Sequence, residues 1–199
     1  MRLTLDHIAV AAETLEEGVA WAEERLGLPL LAGGQHDHYG THNRLLALAP
    51  GLYLEVIAKT PDAAPTGRVT WFGLDDFRGP PRLANWICRA EDLARFVDIT
   101  GPAVPLARGA LRWDITVPDD GCLPMQGGFP TLLRWAEGVT PPGQSLPASG
   151  CRLTRLTVTH PQAAWLRETL AVDSDLVVFA QGDPALAAEI DTPAGLCRL

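Results

Sequence analysis

Residues 3–10 read LTLDHIAV, and residues 51–57 read GLYLEVI. Both stretches alternate apolar residues with other residues, a pattern typical of β-strands whose side chains point to the two faces in turn. The alternation places Leu5 and His7 on one face of the first strand and Glu55 on the corresponding face of the second. We therefore expect two strands that bury their opposite, apolar faces under a helix and direct an imidazole and a carboxylate to the other side.

One helix and two further strands are predicted between these stretches. Residues 14–17 (TLEE) fit a capping box, and Gly27 suits the left-handed conformation that ends a helix. A second strand is expected to start at residues 29–31, and a third to span residues 41–48. The polar, glycine-rich segment at residues 33–43 is interpreted as the turn that leads into the third strand. The resulting order of elements is βαβββ.

The same pattern returns twice along the chain. Residues 83–88 (LANWIC) and residues 153–158 (LTRLTV) each align with residues 5–10 without a gap. We propose a division into a first βαβββ unit at residues 1–58, a covering segment at 59–82, a second unit at 83–137, a linker at 138–151, and a third, compressed unit at 152–199. The sequence leaves open which two units pair.

The second unit is expected to contain a helix that starts at Glu91 and strands at residues 111–117 and 130–135. Alignment of its last strand with residues 51–57 places Arg134 opposite Glu55 and Trp135 on the helix-side face, toward the core. The third unit is expected to contain a helix and three short strands, at residues 161–170, 175–180, 186–190 and 195–199.

Chain length, composition and net charge limit the class of protein. A length of 199 residues with 47% hydrophobic and 20% charged residues describes an ordinary globular chain. The net charge of −8 argues against nucleic acid as a partner. The sequence contains no long apolar run and no basic-then-apolar leader, so we expect no membrane partner and a cytoplasmic location. The four cysteines are scattered and are expected to be reduced thiols.

The motif LDHIAV at residues 5–10, together with YLE at residues 53–55, resembles the vicinal oxygen chelate superfamily, which includes glyoxalase I, extradiol dioxygenases and bleomycin-resistance proteins. Within it, the run from His36 to Asn43 and the strand at residues 130–135 are most similar to glyoxalase-like domain proteins. The resemblance implies an α+β fold in which tandem βαβββ units form curved mixed sheets around a bowl-shaped pocket.

The resemblance also implies where a site would lie. In metal-dependent members of the superfamily, each of two paired units supplies ligands from its first and last strands. The first unit keeps this pattern with His7 and Glu55. The alignment places Asn85 and Arg155 opposite His7 in the other units, and Arg134 opposite Glu55. Arginine cannot ligate a cation, so the ligand set of the superfamily is at best half present.

In one interpretation the first unit keeps a divalent metal by itself. His7, His42 and Glu55 would form a site of two histidines and one carboxylate, with His36 or His38 as other candidates. Such a set suits Zn²⁺, Fe²⁺, Mn²⁺ or Ni²⁺. The alternative is that the histidines belong to a polar loop and bond backbone groups.

In the other interpretation the pocket binds an anion without a metal. Arg134 and Arg155 would bind a carboxylate or phosphate. His7 or Glu55 would act as a general base, with the pKa of a buried carboxylate raised by its apolar walls. The remaining candidate substrate-binding residues are His42, Asn43, Arg44, Tyr53 and Asn85. The alternative is a purely structural role, in which Arg134 pairs with Glu55 and holds the sheet together.

The resemblance therefore implies a glyoxalase-like small-molecule enzyme of the lyase, isomerase or dioxygenase type, acting in a bowl lined by His7 and Glu55. A rival hypothesis is a non-catalytic protein that binds an anionic or aromatic small molecule through Arg134 and Arg155. A third is a structural homodimer without a ligand. The sequence names no substrate.

Overall fold

The computed structural model describes residues 2–49, 51–61 and 63–199. The strands are β1 (Thr4–Ala11), β2 (Leu31–His36), β3 (Thr41–Leu48), β4 (Leu52–Lys59), β5 (Arg82–Arg89), β6 (Ala103–Arg108), β7 (Leu111–Thr116), β8 (Thr131–Trp135), β9 (Arg152–Thr159), β10 (Val177–Ala180), β11 (Ala185–Thr192) and β12 (Gly195–Arg198). The helices are α1 (Leu15–Leu26), α2 (Val97–Thr100), α3 (Pro142–Ser145) and α4 (Ala163–Leu170), with a 3₁₀ turn at Pro124–Gly127. Within the described ranges, no helix has both the length and the apolar character needed to cross a membrane.

The first eight strands form one curved mixed sheet in the order β2-β3-β4-β1-β5-β8-β7-β6. Strand β1 pairs in parallel with β4 and antiparallel with β5, so this pairing joins two groups of four strands. The two edge strands come close together, because a Cβ atom added to Gly34 in β2 would lie 2.6 Å from the Cδ atom of Arg108 in β6. The sheet thus curves almost into a closed barrel around a hollow, and the expected α+β fold is confirmed.

The last four strands form a separate sheet in the order β10-β9-β11-β12. This small sheet covers the outer face of β5, where the fully buried Trp86 packs against Phe179 of β10 with ring centroids 6.0 Å apart. Ile190 of β11 and Leu166 of α4 belong to the same buried cluster. The third copy of the pattern therefore shields the outer face of the second copy, which has no long helix of its own.

The prediction of a helix that starts at Glu91 is wrong. Residues 91–96 form bends and turns, and only α2 is helical. The Asp92 carboxylate accepts a hydrogen bond from the Ala94 backbone N–H at 3.0 Å. Such local side-chain bonds give the backbone an alternative to the helix. A long helix is also unnecessary here, because the small sheet already buries the apolar face of β5.

Two further predictions about strand faces are corrected. The pairing of β1 with β5 contains an irregularity between Leu5 and His7. Leu5 consequently packs in the outer core with Ile8, instead of sharing the face of His7. In β8, Leu133 and Trp135 face the hollow, although the alignment placed Trp135 toward the outer core. A shift of one residue in register exchanges the two faces of a strand, which explains this error.

The predicted turn at residues 33–43 is also shorter than expected. Strand β2 extends through His36, because the Asn43 side-chain carbonyl accepts a hydrogen bond from the Gly34 backbone N–H at 2.8 Å. In the covering segment between β4 and β5, Trp71 and Phe72 line the hollow, and their stacked rings are buried there. Phe72 has a positive φ of 60°, which is uncommon for a bulky residue and indicates backbone strain in this covering segment.

We predict that Trp86→Ala lowers the free energy of unfolding by about 3–5 kcal/mol, as expected for loss of a large buried aromatic side chain. The indole joins the two sheets and its N–H donates to the Gly127 carbonyl at 3.1 Å. Urea unfolding measures the change. The matched control is Trp165→Ala, since the side chain of Trp165 is 40% exposed. An equal loss in both variants would contradict the role assigned to Trp86.

Candidate functional site

The hollow inside the curved sheet holds a small polar cavity with mostly aromatic walls. Its free volume is about 30 Å³, which is room for about two water molecules. The walls are formed by His7, His36, Asn43, Leu45, Tyr53, Glu55, Trp71, Phe72, Arg108, Trp113, Ile115, Leu133 and Trp135. The cavity therefore admits only a few atoms of any ligand in this conformation.

His7 lies buried between two carboxylates. Its Nδ1 atom is 2.7 Å from an Asp6 oxygen, and its Nε2 atom is 3.6 Å from a Glu55 oxygen. The ring stacks on Tyr53 with centroids 4.3 Å apart. Burial alone would lower the pKa of His7, but the contacts with Asp6 and Glu55 raise that pKa above its ordinary value. The imidazolium form of His7 is therefore favoured at the bottom of the cavity.

Glu55 is the ionised partner of His7. Burial would raise the pKa of the Glu55 carboxyl, but the contact with His7 and a hydrogen bond from Asn43 lower it to about 2. The Asn43 side-chain N–H₂ donates to Glu55 at 2.5 Å. The expectation of a raised pKa for this carboxylate is therefore wrong. Apolar walls matter less here than the cation and the amide donor that touch the two oxygens.

Asp6 holds His7 from the other side. Besides the His7 ring, the Asp6 carboxylate accepts a hydrogen bond from Trp135 Nε1 at 3.0 Å and lies 3.3 Å from Arg89 Nε. Burial opposes ionisation of Asp6, but these contacts, with His7 first, lower its pKa. Asp6 and Trp135 were not singled out in the sequence. The irregular pairing of β1, which turns Asp6 toward the site, has no visible sequence signal.

Arg108 reaches the cavity from the far edge of the sheet. One guanidinium nitrogen donates to the Asn43 carbonyl oxygen at 3.2 Å and to His36 Nε2 at 3.0 Å. His36 Nδ1 lies 3.1 Å from the Thr41 hydroxyl. Burial, together with the charge of Arg108, lowers the pKa of His36 to about 4. A neutral His36 therefore accepts from Arg108, and the two side chains hold the sheet edges together.

The structure brings four of the sequence-predicted site residues together around the cavity: His7, Glu55, Asn43 and Tyr53. Two others, His42 and Arg44, lie on the opposite face of β3, because Asn43 and Leu45 take the face toward the hollow. The Nε2 atom of His42 is buried there and has no hydrogen-bond partner among the described residues. Neither side chain can reach a ligand in the cavity.

The remaining three predicted residues also lie elsewhere. The Asn85 side-chain N–H₂ donates to the Thr131 hydroxyl, and its carbonyl accepts from the Trp86 backbone N–H, each at 2.9 Å. Arg134 pairs with Asp114 at 2.8 Å. It does not pair with Glu55, because β1 and β5 lie between β4 and β8.

Arg155 lies on the small sheet, where its closest carboxylate oxygen, from Glu189, is 3.8 Å away. The proposed pair of Arg134 and Arg155 around one anion therefore does not form. The two arginines belong to different sheets.

The donor set does not fit a divalent metal, although members of the superfamily often use one. His7 and Glu55 supply two ligands, but His42 faces away and the half-buried His38 lies beside Arg68, outside the cavity. His36 does line the cavity, but its Nε2 atom accepts a hydrogen bond from Arg108 and its Nδ1 atom lies 3.1 Å from the Thr41 hydroxyl. The Arg108 cation beside it would also repel a metal ion. Across the residues described by the structure, no group of three or more histidine, cysteine, aspartate or glutamate side chains could hold a metal.

We predict that the free energy of unfolding falls as the pH is lowered from about 6.5 to 4. An unfolded chain protonates His36 near pH 6.5, whereas the folded chain resists protonation until about pH 4. This difference corresponds to at most about 3 kcal/mol. Glu55, with its lowered pKa, adds a further loss below about pH 4.5, as its stabilising ionised form is protonated.

The raised pKa of His7 acts in the opposite direction and only above about pH 6.5, so it does not mask this window. Urea titrations at pH 7, 5.5 and 4 measure the effect. His36→Gln, which keeps an acceptor for Arg108, should remove most of the loss between pH 6.5 and 4. An unchanged pH dependence in this variant would show that His36 is not its source.

The comparisons with known proteins agree with the fold. A family model described as glyoxalase-like domain matches residues 5–172. No functionally curated protein matches the chain significantly.

Among solved structures, a hypothetical protein from Staphylococcus aureus is 14% identical, with a TM-score of 0.58 over 100% of this chain and 85% of that chain. Methylmalonyl-CoA epimerase from Mycobacterium tuberculosis is 22% identical, with a TM-score of 0.41 over 66% of this chain and 85% of that chain. The Streptomyces coelicolor epimerase, in complex with 2-nitronate-propionyl-CoA, is 17% identical, with a TM-score of 0.43 over 70% and 98% of the two chains. Because the family model covers most of its length, the chain belongs to the glyoxalase-like domain family.

Proposed function

We propose that this protein is a small-molecule enzyme, an isomerase or lyase, that moves a proton at a carbon next to a carbonyl group without a metal. The observation that carries the proposal is the His7 ring held between two buried carboxylates at the bottom of an aromatic hollow. Buried, paired titratable groups in a cavity are typical of acid–base sites. The structural alternative is that the cluster only holds β1 and β4 together.

The two proposed catalytic residues have complementary protonation states. Glu55 is ionised and can accept a proton from carbon, while the imidazolium of His7 can donate one to oxygen. In the proposed step, the C–H bond breaks as its proton passes to a Glu55 oxygen. The electron pair left behind forms an enolate, whose oxygen accepts a proton from His7 Nε2. When the carbonyl re-forms, the enol O–H returns its proton to His7, and transfer of the proton on Glu55 to a carbon of the enol gives an isomer. In a lyase the O–H proton also returns to His7, while a β-substituent leaves with its bonding electron pair and takes the proton from Glu55.

The low pKa of Glu55 is a property of the ligand-free cluster. It depends on the contact with His7 and on the Asn43 amide. When a substrate oxygen takes the Nε2–H of His7, Glu55 loses part of that stabilisation and becomes a stronger base. Asp6, bonded to Nδ1 at 2.7 Å, keeps the ring in place throughout and acts as a positioning residue.

Arg108 supplies positive charge to the developing enolate. Its guanidinium lines the cavity, and among the described residues Asn43 and His36 engage one of its terminal nitrogens. A guanidinium carries five N–H donors in all. Preorganised donors of this kind, in a site that excludes water, stabilise charge that appears in the transition state. The anion-binding role that the sequence analysis gave to Arg134 and Arg155 is thus better filled by Arg108.

The size of the cavity limits the substrate. About 30 Å³ of free volume accommodates a reacting carbonyl group but not a whole drug-sized molecule, which fills several hundred Å³. The flat walls of Trp71, Trp113 and Trp135 suit a planar or apolar group. The same walls favour the second candidate function, in which the protein binds an aromatic small molecule and does not transform it.

We predict that Glu55→Gln slows carbon-bound proton exchange at least about 100-fold, since a positioned general base typically contributes 10²–10⁴. The measurement incubates small 2-oxo acids, hydroxyketones and acyl thioesters with the protein in D₂O and follows loss of the C–H signal by NMR. His7→Gln should also slow exchange. His38→Gln is the control, because His38 is only half-buried and lies outside the hollow.

The variants must first unfold at a similar temperature to the parent chain. Unchanged exchange in Glu55→Gln would overturn the proposed mechanism. A compound that binds in the hollow without exchange or turnover would favour the non-catalytic function.

A further inference from the structure

A second, open groove lies behind one wall of the hollow. It has a volume of about 490 Å³ and shares Leu133 and Trp135 with the small cavity, so these two side chains separate the two spaces. A volume of this size is typical of pockets for small organic molecules, about 300–1,000 Å³. We call it the arginine groove, because Arg2, Arg89 and Arg134 line it.

The arginine groove brings three guanidinium groups together on a protein whose net charge is −8. Glu91 is the carboxylate in its lining, and each arginine contacts one further carboxylate at the margin of the groove, from Asp173, Asp6 or Asp114. Local charge of this kind attracts ligands of opposite sign, whatever the net charge of the protein. The planar guanidinium group matches carboxylate and phosphate groups particularly well.

Arg2 and Arg134, at the rim of the groove, form exposed ion pairs that compete only weakly with a bound anion. Arg2 contacts Asp173 at 3.2 Å and Arg134 contacts Asp114 at 2.8 Å, and the side chains of both arginines are more than half exposed. Exposed ion pairs contribute only about 0–1 kcal/mol. A ligand with two or three anionic oxygens can therefore recruit these guanidinium groups at little cost.

Arg89 occupies a different environment. Its Nε atom lies 3.3 Å from the buried Asp6 carboxylate, and its side chain is 36% exposed. The buried Nε atom has no hydrogen-bond partner among the described residues, so its contact with Asp6 is ionic only. Arg89 is thus held beside the proposed catalytic cluster by charge, and its guanidinium donors are available to a ligand. Asp6 touches Arg89, Trp135 and His7 at once, so it connects the groove to the cavity.

We infer that the arginine groove is an anion-binding site for a carboxylate or phosphate group of a small molecule, centred on Arg89. Only the Asp6 carboxylate lies between an anion bound at Arg89 and the His7 ring. Anion binding should therefore change the environment of that ring. This inference does not depend on the proposed proton transfer, since it concerns binding alone.

The experiment titrates the full-length protein with inorganic phosphate and, separately, with acetate, by calorimetry in a buffer without other oxyanions. We expect saturable binding of one anion per chain by at least one of the two probes, and the tighter probe identifies the preferred group. Arg89→Gln should weaken binding at least about tenfold, because one charge-assisted hydrogen bond is worth about 1.5–3 kcal/mol. The double variant Arg2→Gln/Arg134→Gln, confined to the exposed rim, should weaken it at least about threefold while the fold is retained.

Arg112→Gln is the matched control, because Arg112 is exposed and lies outside the groove, and among the described residues its side chain bonds the carbonyls of Gly109 and Leu111. It should bind as the parent chain does. A second readout follows the His7 ring signals by NMR, which should move on anion addition in the parent chain and not in Arg89→Gln. Absence of saturable binding by both probes, or an equal loss in Arg112→Gln, would overturn the inference.

Discussion

The contact between His7 and Glu55 depends on the parallel register of β1 and β4. His7 pairs with Tyr53 across the two strands, so the Glu55 side chain, two residues further along the same face, reaches back toward the His7 ring. A shift of one residue would turn Glu55 into the outer core, where an unpaired carboxylate would be costly. Because Leu54 and Val56 must be buried on the other face, the hydrophobic pattern of β4 enforces this register and with it the geometry of the site.

The negative charges of the buried carboxylates are compensated by cations that lie far away in the sequence as well as by His7. Asp6 and Glu55 are negative, and the His7 imidazolium compensates for one of them. The other positive charges come from Arg89 in the neighbouring half of the sheet and from Arg108 on its far edge. Burial of this cluster is tolerable because each carboxylate has hydrogen-bond donors or cations around it. The same contacts close the sheet, so the electrostatics of the site and the curvature of the fold are inseparable.

The third βαβββ copy replaces the long helix that the second copy lacks, because it buries the apolar outer face of that copy. The small sheet buries Trp86 on the outer face of the eight-stranded sheet, while Trp71 and Phe72 are buried on its inner face. The two cores are therefore separated by the eight-stranded sheet. The outer core provides most of the burial, which leaves the inner space free to keep polar side chains.

Sequence periodicity was sufficient to predict the tandem βαβββ pattern and the positions of β1, β3 and β4, and the family resemblance of that pattern implied the α+β class. Alternation along single strands also placed His7 and Glu55 toward one space, since it is a local property that needs no tertiary information. It could not reveal Arg108, which reaches His36 across 72 residues of chain, or Asp6, which depends on an irregularity in β1. It also gave the wrong face for Trp135 and the wrong direction for the pKa of Glu55. Register, edge closure and the surroundings of a buried carboxylate are set by contacts between distant segments, so only the tertiary structure decided them.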